Sequence, residues 1–374
     1  VKSLDILKQL VEIPSYLGPA TNEVKIADFI FKYLSTIPNL TIKKQKVTEN
    51  RYNIFASFPG KTKLLIAGHM DTVEPKDKSK LTPIIKDGRL YGLGALDTKG
   101  GIAALLSSIA KAKDIQNVAL LFYCDEEYDF MGMRKFINTN PKLKPSMAIV
   151  IEPSQLKIWN GHRGLIEVFI SIKGKSGHAA SPEHIKGAGW EMHSFLTHLR
   201  KELARYAHPQ LGKTSLNIAY ARTGMFKNKM GDEVVLGKQG NNIADYSEII
   251  LDIRTTSSRL RASTIEKLAR LYFRKTRNKI FDFRIRHDLG SLYTDRKYLN
   301  KIERALKTKE KIGYLDPSDL GYGDGQMINE KWKCPVIYLG PKGAGMHAPD
   351  EYVDIASIDK LANMFSTMLC DHGF

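Results

Sequence analysis

The chain has 374 residues, enough for two modest domains, and with 43% hydrophobic and 26% charged residues it has the composition of a folded globular protein, which excludes disorder along its length. No stretch approaches the roughly 20 apolar residues a membrane helix needs, and the opening VKSLDILKQLVEIPS lacks the basic, apolar, small-residue order of a signal peptide, so a cytoplasmic protein with no membrane partner is expected. The net charge of +17 comes from scattered sources, among them KTK at 61–63 and RKTRNK at 274–279, so a nucleic-acid partner is not expected; the basic surface is either solvated lysine or a field that attracts anionic substrates.

Apolar periodicity predicts helices over 3–11 and 22–34, short strands over 53–58 and 63–67, a helix over 100–112, and buried strands over 118–124 and 147–151. Such alternation argues for an α/β layered domain with a central, mostly parallel sheet. Near Gly161 the pattern changes. Strands over 165–173, 215–222, 247–254 and 282–287, with helices over 190–206 and 261–278, give a β-α-β-β-α-β count, the split arrangement of a small ferredoxin-like α+β sandwich. Alternation resumes from Lys297, with a strand over 336–339 and a closing helix over 358–368. The domains are therefore read as a discontinuous α/β part, 1–162 and 289–374, and an insert over 163–288.

Ligand-type residues gather where apolar strands end. In LLIAGHMDTV a strand runs into His69 and Asp71, two residues apart and so on one face, where the carboxylate can orient the imidazole of a metal ligand; the pair alone also fits a structural histidine. In YGLGALDTKGG, Asp97 either caps the helix that follows or joins a metal site among small residues that permit close backbone approach. LLFYCDEEYDF ends a buried strand in Asp125, Glu126 and Glu127, whose repulsion calls for a cation or for solvent. On an extended backbone the adjacent Glu126 and Glu127 would point apart, one toward metal and one toward substrate as a base. Glu152 ends AIVIEPS, and His347 follows the strand VIYLG in GAGMHAPDE.

Open α/β sheets collect ligands at such strand ends. Two histidines and three carboxylates without a thiolate suit zinc, and manganese or cobalt share that preference. The three cysteines, Cys124, Cys334 and Cys370, lie far apart without CxxC spacing, which speaks against a disulfide framework or a thiolate zinc site.

Taken in order, GHMDTV, GLGALDTKGG, DEE, EPS, GKSGHAASPE and GAGMHAPDE resemble, across the whole chain, the dizinc aminoacylase and carboxypeptidase family that includes acetylornithine deacetylase, succinyl-diaminopimelate desuccinylase and glutamate carboxypeptidase. The resemblance implies two zinc ions per subunit, with cobalt or manganese as substitutes, in a zinc-peptidase-like domain. His69, Asp97 and Glu152 would hold one ion and Asp97, Glu127 and His347 the other, with Asp97 as the bridge. Glu126 would be the general base and Asp71 the support of His69. It also implies a homodimer through the insert, with His178 reaching the partner's site and Asn241 and Arg254 contacting an oxyanion or a substrate carboxylate. Ala244 stands where the family has proline, and Tyr322 and Gly323 replace a threonine and serine in a GTSD-like loop. The expected reaction is hydrolysis of an amide in an N-acyl amino acid or related small substrate. Carboxypeptidase or di- and tripeptidase activity is the alternative, and a catalytically silent ligand-binding relative is a further one.

Overall fold

The computed structural model describes residues 2–180, 186–231, 233–306, 312–318 and 321–370. These fall into two compact units. One comprises 1–160, 294–316 and 324–374, and the other 161–293 and 317–323.

The first unit is built on a six-stranded sheet in the order Thr41–Thr48, Arg51–Ser57, Val118–Tyr123, Leu64–His69, Met147–Val150, Val336–Tyr338. The last four run parallel and the first two antiparallel, which gives the mixed α/β class with a mostly parallel core sheet. Leu64–His69 and Val118–Tyr123 are buried at every residue, as strands covered on both faces must be. Leu64, Ile66, Leu120, Phe122 and Ile149 join one core with the helices Ser3–Glu12, Gly100–Lys111 and Ile355–Leu369. The alternate residues Leu65, Ala67, Leu121 and Tyr123 are equally buried on the opposite side.

The edge strand Thr41–Thr48 is not evident from sequence, because TIKKQKVT is largely exposed and shows no apolar alternation. Two short helices, Met131–Thr139 and Gly325–Trp332, were also not anticipated; they pack together, Phe136 meeting Trp332 edge-on at 5.9 Å. A further small sheet pairs Ile84–Lys86, Arg89–Tyr91, Tyr352–Asp354 and Gly343–Ala344, and so fastens the chain on either side of His347 to segment 84–91.

The second unit is an antiparallel sheet in the order Glu233–Gly237, Ser215–Met230, Tyr246–Arg254, Leu165–Lys173, Lys279–Leu289. The helices Ala188–Leu203 and Ala262–Arg274 share one apolar core with Ile166, Val168, Ile170 and Ile172. The strand expected over 215–222 continues to Met230 and turns back through Glu233–Gly237 as a hairpin. The helix expected to reach 278 stops at Arg274, because Lys279 already pairs with Lys173 and begins the last strand. Residues 181–183 of GKSGHAASPE lie outside the described residues. Among the described residues no helix is long and apolar enough to cross a membrane.

Candidate metal centre

The carboxyl ends of the parallel strands bring the donors together. His69 closes its strand opposite Tyr123 and is fully buried. Its Nδ1 lies 3.0 Å from the Asp71 carbonyl oxygen and 3.6 Å from the Asp71 carboxylate. Its Nε2 faces the other way, 3.1 Å from Asp97 Oδ1 and 3.8 Å from Glu152 Oε1. Nδ1 is thus held from behind, while Nε2 is offered to two carboxylates.

Asp71 does more than face His69. Its buried carboxylate accepts hydrogen bonds from the backbone N–H groups of Glu126, at 3.1 Å, and Glu127, at 2.9 Å. The end of one strand thereby fixes the turn that follows its neighbour. That turn corrects the expectation of an extended backbone at the two glutamates: Asp125 has φ +72°, a left-handed conformation, and the chain folds into a turn over 126–129. Arg51 anchors the turn from below. Its guanidinium bonds Glu23 at 2.8 Å and Asp125 at 2.5 Å, all three residues being buried, and Asp125 Oδ2 accepts from Asp129 and Met131 backbone N–H groups.

Asp97 sits in an irregular turn between Gly94 and the helix Gly100–Lys111, and that helix makes no side-chain cap hydrogen bond, so capping is not the role of Asp97. Each of its oxygens faces a different imidazole: Oδ1 is 3.1 Å from His69 Nε2, and Oδ2 is 3.4 Å from His347 Nε2. His347 Nε2 also lies 3.1 Å from Glu127 Oε1. Glu152 follows its strand by two residues, and Gly340 packs against its backbone so closely that a Cβ there would come within 2.1 Å of the Glu152 carbonyl oxygen.

Three groups of donors therefore converge within 4.8 Å: His69, Asp97 and Glu152; Asp97, Glu127 and His347; and His69, Glu126 and Glu127. Burial raises the carboxyls of Glu126, Glu127 and Glu152, and repulsion from neighbouring carboxylates, Asp97 among them, adds to it. Asp97 is held below its usual range by hydrogen bonds from His347 and His69, which outweigh its burial. Asp97 and Glu127 raise His347 to about 10. So many acids in one buried place are stabilised by positive charge, and the nitrogen and oxygen donor set with no sulfur is the kind that binds zinc or a similar divalent cation. The residues present fit such ions.

Two further buried acids lie near the centre; the sequence reading gave neither a role, noting Asp324 only as the acid kept in the GTSD-like loop. Asp324 is fully buried, accepts from the Tyr123 hydroxyl at 3.0 Å and is pushed up to about 7 by burial. Glu351, four residues after His347, accepts three backbone N–H bonds from the Asp97 turn. Only its place in GAGMHAPDE, next to a candidate ligand, signals it.

The remaining candidates belong to the second unit. His178 is exposed, pairs with Asn242 across a two-residue ladder, and accepts the Ala180 N–H at Nδ1, 3.1 Å away. Asn241 is also exposed and accepts the Ala179 N–H through its carbonyl. Arg254 forms a two-point pair with Asp252, at 2.8 and 3.0 Å, and lies 5.6 Å from the centre of the Tyr322 ring.

A mostly parallel sheet thus carries a nitrogen and oxygen donor cluster at its strand ends, the kind of centre that metal-dependent hydrolases use. A family model described as peptidase family M20/M25/M40 matches residues 65–371, and the chain belongs to that family. Acetylornithine deacetylase of Proteus mirabilis (strain HI4320) is 28% identical, over 98% of this chain and 95% of its own length. Among solved structures, the aminopeptidase PepT of Bacillus cereus superposes with a TM-score of 0.76 at 19% identity, over 98% of this chain and 97% of that one. The YXEP protein of Bacillus subtilis, described as a dinuclear metal binding peptidase, reaches 0.69 at 15% identity over 98% and 96%.

Proposed function

We propose that this chain is a two-metal hydrolase that cleaves the amide of a small N-acyl amino acid. The observation that carries the reading is the placement of Asp97, whose two oxygens each face a different imidazole, with Glu152 beyond one and Glu127 beside the other. His69, Asp97 and Glu152 would hold one divalent cation and Asp97, Glu127 and His347 the second, zinc being the natural occupant and cobalt or manganese substitutes. Bound cations would supply Lewis acidity toward an amide carbonyl and lower the pKa of a nearby water.

Glu126 has the place of a base. Its backbone is fixed by Asp71. Its carboxyl is raised, chiefly by burial, which suits a group that takes a proton from the attacking water and returns it to the departing nitrogen. Asp71 holds the His69 ring on one side and the Glu126–Glu127 turn on the other, so base and ligands keep a common geometry.

The deacylase reading draws support from the acetylornithine deacetylases, 25–28% identical over 98% of the chain. A peptidase reading draws on the similarity to aminopeptidase PepT. Family resemblance further assigns His178 to the partner's site in a homodimer, with Asn241 and Arg254 as substrate contacts. Release of free amine from N-acetyl, N-succinyl and dipeptide substrates separates the readings. Cleavage confined to acyl amino acids is expected; cleavage confined to dipeptides would overturn the deacylase assignment in favour of a peptidase.

A further inference from the structure

Glu351 is buried, and both oxygens of its carboxylate accept hydrogen bonds from one stretch of backbone. Oε2 accepts the Gly94 N–H at 2.9 Å, and Oε1 accepts those of Leu96 at 2.9 Å and Asp97 at 3.1 Å. Its own carbonyl accepts the Gly92 N–H at 3.1 Å, and the next residue, Tyr352, pairs with Tyr91 in the small sheet. Main chain and side chain of this one residue thus fasten segment 91–97. On its other side, Glu351 donates to the Ala348 carbonyl at 3.2 Å, and the Ala348 N–H bonds Gly345, closing the turn that presents His347.

We propose, on the reading given under Proposed function, that Glu351 is a positioning residue for the metal centre. It touches no reacting atom. It fixes the backbone of Asp97, whose two oxygens face His69 and His347, relative to the loop that carries His347. A single carboxylate thereby sets the spacing between the shared ligand and a ligand of one site. The need for two acceptor oxygens follows from counting. Three donors converge on two oxygens, and a side chain with one oxygen and one NH2 would leave a buried N–H unsatisfied and place a donor against a donor. Lys99, buried in the same turn, donates to the Ile13 carbonyl at 2.9 Å and so ties the turn to the first helix's end as well.

The test is cobalt binding to the metal-stripped full chain and to Glu351→Gln and Glu351→Asp, followed by titration and by the visible spectrum of the ion, with melting of each metal-free protein alongside. Outer groups that orient ligands alter metal affinity by about 10- to 100-fold. The glutamine variant is expected to bind cobalt more weakly by about that factor and with an altered spectrum, and the aspartate variant to recover part of the loss. A purely structural role would lower the melting temperature and leave affinity and spectrum as in the unaltered chain, and that result overturns the proposal. If the glutamine variant does not fold, the aspartate variant decides alone: weakened binding supports the proposal, and unaltered affinity overturns it. Absence of cobalt binding by the unaltered chain would overturn the metal reading and this inference with it, whereas normal binding by both variants overturns this inference alone.

Discussion

Replacing Glu126 by glutamine separates its two conceivable roles, because the donors converge in more than one combination. His69, Glu126 and Glu127 form a third possible ligand group beside the two that share Asp97. The substitution conserves shape, and it leaves the Glu126 N–H bond to Asp71 and the five proposed ligands untouched. What disappears is a buried carboxyl able to take up a proton. General acid–base groups contribute about 10²- to 10⁴-fold, so turnover should fall by that factor or more, about 3–5 kcal/mol in the barrier. The assay is kcat on the best substrate of the panel, with metal per chain measured by elemental analysis on the same sample. A large fall in kcat at unchanged metal content is the expected result. Turnover within tenfold of the unaltered enzyme would refute the base assignment, and loss of a metal ion would make Glu126 a ligand instead.

Asp97→Ala removes the group shared by both proposed sites, so elemental analysis should find both ions depleted, whereas His347→Ala should deplete one. Arg51→Met leaves Glu23 and Asp125 buried without their cation, and breaking such a pair costs about 3–5 kcal/mol, to be read as a marked fall in thermal or denaturant stability together with lower kcat, since the turn bearing Glu126 loses its anchor. In the metal-free protein His347 is raised from its ordinary 6.5 to about 10 by hydrogen bonds to Asp97 and Glu127. The stability this confers is complete below pH 6.5 and is lost as pH rises through about 10, so the metal-free melting temperature should decline over that interval, and less so in His347→Ala. Mixing His178→Ala with Glu126→Gln should restore part of the activity if sites are completed across a dimer, and the mixture should stay as inactive as its components if they are not.

Much of the sheet was legible because buried parallel strands such as VALLFY and MAIV are continuous apolar runs, and because ligand-type side chains placed where such runs stop mark the strand ends. Thr41–Thr48 was not, since an exposed edge strand carries no alternation to read. Of the candidate donors, His69, Glu126, Glu127 and Glu152 were legible at or just past the ends of apolar strands, whereas Asp97, in an irregular turn, and His347, well beyond its strand, were legible only through their motifs. What holds them was not. The bonds from Glu351 to the Asp97 turn span more than 250 residues, and those from Arg51 to Asp125 span 74; contacts of that kind leave no period in the sequence. Nor did the sequence disclose that Asp71 grips the backbone of two acids on the neighbouring strand's turn, for a carboxylate two residues beyond a histidine reads first as that histidine's own partner.

On the function proposed above, a pair of divalent cations at the strand ends makes this chain an amide hydrolase. The most direct measurement strips the metal with a chelator, restores zinc or cobalt in steps, and follows both bound metal and release of amine from an N-acyl amino acid. Activity is expected to vanish on stripping and to return as the chain takes up two ions. Cleavage that persists in the metal-free protein, or a chain that binds no metal at all, would contradict that function.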